Sequence, residues 1–199
     1  MIKLPVMERF YTLQGEGFHA GAPAYFIRTG GCDVGCVWCD VKESWDPDAH
    51  PQISVEELTR SAVESGTNIV VITGGEPAMY DLRPLTDALK ESGLLVHIET
   101  SGAYPLQGHF DWITVSPKKF KFPLEEVCKQ ANELKVVVFN ESDFKWAEKH
   151  EVLVNSDCKL FLQPEWERRE EVHAPMIRYV QDHPHWRISL QTHKYLAIP

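Results

Sequence analysis

Residues 68–77 read NIVVITGGEP. From Ile69 to Thr73 every side chain is β-branched, and such a run, bounded by a glycine pair, describes a buried strand ending in a loop. The neighbouring segments repeat the theme. Residues 53–66, ISVEELTRSAVESG, carry an S-x-x-E capping signal at Ser54 and Glu57, with Val55, Leu58, Ala62 and Val63 able to share one helical face. Upstream, AYFIRTG (24–30) is a short strand. Downstream, YDLRPLTDALKESG (80–93) suits a helix with Pro84 near its first turn.

The alternation continues to the end of the chain. LLVHIETSG (94–102) and WITVSPKK (112–119) read as strands with their loops, PLEEVCKQAN (123–132) as a helix and ELKVVVFN (133–140) as a strand. ESDFKWAEKH (141–150) is a helix, KLFLQPE (159–165) a strand and APMIRYVQDH (174–183) a helix with Pro175 near its start. WRISLQT (186–192) closes the series. Strands alternating with helices imply a parallel sheet with right-handed crossovers, and so an α/β fold. Ligands of such sheets bind at the carboxyl ends of the strands. TGGEP, ETSG, SPKK, QPE and QTHK all fall there and are expected to share one pocket.

The 199 residues suit a single domain, 1–199. A composition that is 43% hydrophobic and 25% charged is that of an ordinary globular protein. The net charge of −9 argues against nonspecific nucleic-acid binding, which needs a basic face. No membrane-length apolar run and no leader pattern in MIKLPVMERF point to a cytoplasmic protein. In that reducing compartment clustered cysteines suggest metal binding rather than disulfides. Cys128 and Cys158, far from the others, read as small buried hydrophobes.

The cluster lies in GGCDVGCVWCD (30–40), where Cys32, Cys36 and Cys39 form C-x3-C-x2-C. Three thiolates can hold three irons of a cubane and leave the fourth open. With His19 or His50 added they could equally complete a zinc shell. Spacing alone does not decide between the two.

Together with GGEP (74–77) at the end of the next strand, this motif resembles the radical S-adenosylmethionine (SAM) superfamily. The resemblance implies a 4Fe–4S cluster on Cys32, Cys36 and Cys39. SAM is expected on the open iron, beside Trp38, Cys39, Asp40, Gly75 and Glu76. Electron transfer from the cluster then cleaves SAM to a 5′-deoxyadenosyl radical that takes a hydrogen atom from the substrate. Within the superfamily, TLQGEG (12–17), FIRTGGC (26–32), ETSG, SPK, LQPE and LQTHKYLAIP (190–199) are similar to the 7-carboxy-7-deazaguanine synthase family.

That likeness implies an abbreviated, partial TIM-type barrel. The expected reaction is ring contraction of 6-carboxy-5,6,7,8-tetrahydropterin to 7-carboxy-7-deazaguanine with loss of ammonia, a step of queuosine biosynthesis. It implies Ser116, Pro117, Lys118, Gln163 and Pro164 as further SAM contacts. For the substrate it implies Leu13, Gln14, Gly15, Glu16, Arg28, Thr73, His193 and Pro199, with residues 191–199 folding back as a closing tail. Glu99 and Ser101 could reach the ribose. A homodimer and a flavodoxin or ferredoxin electron donor are also implied. So is Mg2+, but the family's usual hydroxyl after Cys-Asp is here Val41, which has no side-chain oxygen. Two rival readings share part of the pattern. A small radical activase of a partner protein would have no reason to carry TLQGEG and the terminal LQTHKYLAIP. A zinc-stabilised binding module leaves GGEP unexplained.

Overall fold

The computed structural model describes residues 2–199. Its strands are β1 (Lys3–Leu13), β2 (Pro23–Thr29), β3 (Gln52–Ser54), β4 (Ile69–Gly74), β5 (Leu95–Thr100), β6 (Trp112–Val115), β7 (Glu133–Val138), β8 (Lys159–Pro164) and β9 (Trp186–Ile188). They form one sheet in the order β3-β1-β2-β4-β5-β6-β7-β8-β9, parallel from β2 to β9. The pairings end at β3 and β9 without closing on each other, so the barrel is partial, as expected. No helix of the described residues is long and apolar enough to cross a membrane.

The helices are α1 (Val55–Glu64), α2 (Arg83–Glu91), α3 (Glu125–Cys128), α4 (Ser142–Glu151), α5 (Arg169–Asp182) and α6 (Thr192–Leu196). Ser54 caps α1 by accepting the Glu57 N–H at 3.2 Å, and Pro84 sits in the first turn of α2. Two expectations are corrected and one element is added. Lys3–Leu13, for which the sequence pattern predicts no element, is a strand antiparallel to β2 and to β3. The segment 123–132 supplies a single helical turn. α5 starts at Arg169, which leaves Pro175 inside it rather than near its start. Pro175 removes one N–H and crowds the Glu171 carbonyl, while the acidic Glu170 and Glu171 in the first turn favour the earlier start.

Side chains alternate across the sheet, and the two faces have different work. Ile27, Ile72, Ile98, Leu134, Val136 and Leu162 point outward into the main core beneath the helices. Cys128 and Cys158 join that core, as expected of buried hydrophobes. The intervening residues, Arg28, Thr73, Glu99, Lys135 and Gln163, line the concave face. A small apolar floor of Ala24, Phe26 and Val71 lies on that side, with Phe10 stacked on Phe26 at 5.4 Å.

Leu134 is fully buried at the centre of the outer layer. Leu134→Ala is predicted to cost about 2–5 kcal/mol through the cavity it leaves. A urea midpoint shifted down with an unchanged m-value is the expected result.

Candidate active site

One cavity opens at the carboxyl ends of the parallel strands, and all five strand-end segments reach it. Every residue expected to hold the cluster, SAM or the substrate lines it except Pro117. That residue is a correction: its carbonyl accepts the indole N–H of Trp146 at 3.3 Å, which turns it away while Ser116 and Lys118 on either side face in.

Two loops make the rim. The cysteine loop leaves β2 through Gly31, whose φ of +95° suits glycine. Its course is fixed by bonds from Gly31 N–H to Ser44 O (2.6 Å) and from Cys32 N–H to Trp45 O (3.1 Å). The GGEP loop packs directly against it. Glu76 N–H donates to Gly31 O at 2.8 Å, and a Cβ on Gly75 would stand 2.3 Å from that same oxygen. Glycine at 75 is therefore required by loop packing.

Beneath them Glu76, almost fully buried, accepts hydrogen bonds from Ala78 N–H (3.0 Å), the Thr100 hydroxyl (2.5 Å), and the Ser101 N–H and hydroxyl. Its carboxylate welds the GGEP and ETSG loops together. Ser101, considered for the ribose, spends its hydroxyl here.

Cys32, Cys36 and Cys39 all face the cavity. Burial pushes the Cys32 thiol up, and that of Cys36 up to about 11. Cationic metal is what would hold such sulfurs as thiolates. The two candidate zinc histidines are engaged elsewhere. His50 meets Glu43 O at 2.9 Å, while His19 packs against His97 and Trp112 at ring distances of 4.7 and 4.5 Å. Among the described residues no three histidine, cysteine or carboxylate side chains, the three cysteines included, are drawn together tightly enough to hold a single metal ion. Three soft donors with no protein-derived fourth fit an open-site iron–sulfur cluster. Lys118, its basicity lowered by burial, donates to Ser116 Oγ at 2.6 Å, and its ammonium lies 5.3 Å from the Trp38 ring centre.

At the opposite wall stands a residue that the motifs did not single out. Lys135, only 4% exposed, lies 2.5 Å from Glu16 and 3.2 Å from Glu99. Gln14 donates to Glu99 at 2.8 Å, and Gln191 to Glu16 at 3.0 Å. Burial alone would raise the Glu16 pKa. The charge and hydrogen bond of Lys135 outweigh it and hold that carboxyl down at about 2. The signal was present as one lysine inside the apolar ELKVVV. Trp166 and Lys194 were likewise not singled out, and both line the cavity.

Arg28 spends its Nε on Glu8 at 2.6 Å and keeps its remaining N–H donors. His193 lies against Gly15, where a Cβ would fall 2.1 Å from its ring. Thr192 N–H and hydroxyl both donate to Gly15 O, at 2.8 and 3.0 Å. The tail is thereby docked on the LQG segment, and Pro199 reaches the cavity.

A radical SAM superfamily profile matches residues 26–136. A 7-carboxy-7-deazaguanine synthase of Flavobacterium psychrophilum is 54% identical over 196 residues, covering 98% of this chain and 93% of that one. Its counterpart in Synechocystis sp. is 51% identical over 197 residues, covering 99% and 94%. The crystal structure of QueE from Escherichia coli superposes with a TM-score of 0.85 at 34% identity, over 96% of this chain and 95% of that one.

Behind Lys135, Glu133 is 2% exposed and accepts the Phe18 N–H at 3.0 Å. Burial raises its pKa to about 7, against the pull of Lys135. A carboxyl raised in the folded state stabilises below its unfolded value of 4.5, and that contribution is lost as pH rises through about 7. Nearby His97, held down to about 4 by burial, slopes the other way. The stability difference between wild type and Glu133→Gln is therefore predicted to change, in favour of the variant, by on the order of 3 kcal/mol between pH 4.5 and 8. Urea titrations of both proteins across that range check it.

Proposed function

The chain belongs to the radical SAM superfamily and, within it, to the 7-carboxy-7-deazaguanine synthase family, and on that premise we propose that it contracts the ring of 6-carboxy-5,6,7,8-tetrahydropterin to 7-carboxy-7-deazaguanine with loss of ammonia. The observation that carries this reading is one cavity with thiol donors at one wall and, at the other, a polar edge of two carboxylates held on one buried ammonium. When bound, the 4Fe–4S cluster and SAM supply the 5′-deoxyadenosyl radical that takes hydrogen from the substrate. Everything else falls to the protein.

Cys32, Cys36 and Cys39 hold the cluster. The N–H groups of Gly75 and Glu76 are spent on Thr29 O and Gly31 O, so this loop meets the amino group of SAM through carbonyl oxygens. Trp38, Asp40, Ser116, Lys118, Gln163 and Pro164 complete that half of the cavity, with Lys118 able to face the SAM carboxylate. Lys135 acts as a positioning residue. By keeping Glu16 ionised and pairing with Glu99, it presents carboxylate acceptors to the N–H edge of the pterin. Gln14 reads the same edge. Leu13, Gly15 and Thr73 shape the slot. The free guanidinium donors of Arg28 pair with the substrate carboxylate. His193 and Pro199 cover the pterin from the tail.

We extend the proposal to organisation. Residues 1–199 act as a single domain, with 30–40 as cluster loop and 191–199 as closing tail. The cytoplasm suits an oxygen-sensitive cluster and free cysteines. A small flavodoxin or ferredoxin is the fitting electron donor, and a homodimer the fitting assembly for a sheet with open edges. Mg2+, the third cofactor the resemblance implied, has no matching side-chain donor at Val41, and none of these roles requires it.

The test is an anaerobic incubation of cluster-reconstituted protein with reductant, SAM and the pterin, followed by mass spectrometry. Formation of 7-carboxy-7-deazaguanine is expected; 5′-deoxyadenosine without it would refute the substrate. In the same assay Arg28→Ala is predicted to raise the KM for pterin roughly 10- to 100-fold, the worth of a charged hydrogen bond. SAM binding should be retained, and equal losses for both ligands would remove the assigned role.

A further inference from the structure

Position 41 offers a hard cation nothing to hold. Val41 lines the cavity with a hydrocarbon side chain, and its carbonyl oxygen already accepts both the N–H and the hydroxyl of Ser44, at 3.1 and 2.7 Å. Both lone pairs are used. The next oxygen along, Asp40 Oδ2, lies 3.1 Å from the ammonium of Lys194. Mg2+ demands near-octahedral oxygen ligands. A dication entering here would need to displace an ammonium or sit beside it against like charge.

Lys194 is held in place from several sides. Its ammonium lies 5.2 Å from the ring centre of Trp166, whose other neighbours are the Arg169 guanidinium at 4.4 Å and the edge-on ring of Tyr195. The preceding turn is pinned to Gly15 through Thr192. Of the three ammonium donors one is given to Asp40, which leaves two for an incoming anion.

We infer that Lys194 itself supplies, beside residue 41, the positive charge a divalent cation would supply, so that this chain binds and turns over its anionic substrate without Mg2+. The identity of that anion rests on the functional reading above. The same ion pair joins the tail to the cluster loop, so closing the tail and delivering the charge are one event.

The experiment uses the cluster-reconstituted, SAM-loaded protein in divalent-free buffer. Turnover is measured with and without Mg2+, and Mn2+ binding is followed by loss of the free-ion EPR signal, with and without the pterin. Equal turnover in both buffers and no stoichiometric Mn2+ uptake are expected. Lys194→Gln should raise the KM for pterin about tenfold or more, while Lys194→Arg, which keeps the charge, should not. Combining Lys194→Gln with Val41→Thr should create Mn2+ uptake and a requirement for Mg2+.

Stimulation of the wild type by Mg2+, stoichiometric Mn2+ uptake by it, or an unchanged KM in Lys194→Gln would overturn the inference. If the pterin is not turned over at all, the functional reading fails instead. Mn2+ uptake by the SAM-loaded protein still decides the claim about Lys194 in that case.

Discussion

A buried ammonium organises the end of the cavity proposed to receive the substrate. Lys135 projects from the middle of the sheet into a cavity where an unpaired charge would be prohibitive, so its partners must come to it. Glu16 arrives from the loop after β1, Glu99 from the end of β5, and Gln14 and Gln191 tie those carboxylates to the LQG segment and the tail. Pieces of chain more than a hundred residues apart are thus fixed relative to one another by a single charge. Glu16 is kept ionised and both carboxylates are aimed inward as a consequence. Without that cation each would face the cost of burial alone, and the recognition edge would lose its geometry together with its charge.

The end proposed to hold the cofactors is fixed by close backbone packing and one buried carboxylate. Gly75 leaves no room for a side chain against Gly31, and Glu76 ties the loop beneath to Thr100 and Ser101. The cysteine loop and the glycine loop are in effect one surface. Both ends are mounted on the same parallel strands, whose outer faces pack the core. Rigidity from the hydrophobic layer therefore passes directly to the lining residues.

Much of this was readable in the sequence. The β-branched runs gave the parallel strands, and the polar or glycine signature after each run marked the end at which the site would lie. What escaped did so for physical reasons. Lys3–Leu13 interleaves Pro5, Glu8 and Arg9 with its apolar residues, so its pairing with β2 shows no clean period. Pro117 sits between two lining residues, and alternation at a strand end sends it the other way. Lys135 was visible as an oddity in an apolar run, but its partners depend on sheet curvature, which no local pattern encodes. The Asp40–Lys194 pair spans 154 positions and exists only because the tail returns across the cavity.

In the function proposed, radical chemistry and pterin recognition share this one cavity. That sharing is tested most directly with pterin carrying deuterium on its saturated ring carbons, incubated anaerobically with the reconstituted protein and unlabelled SAM. Deuterium is expected in the 5′-deoxyadenosine recovered. Unlabelled 5′-deoxyadenosine, formed at the same rate whether or not pterin is present, would contradict it.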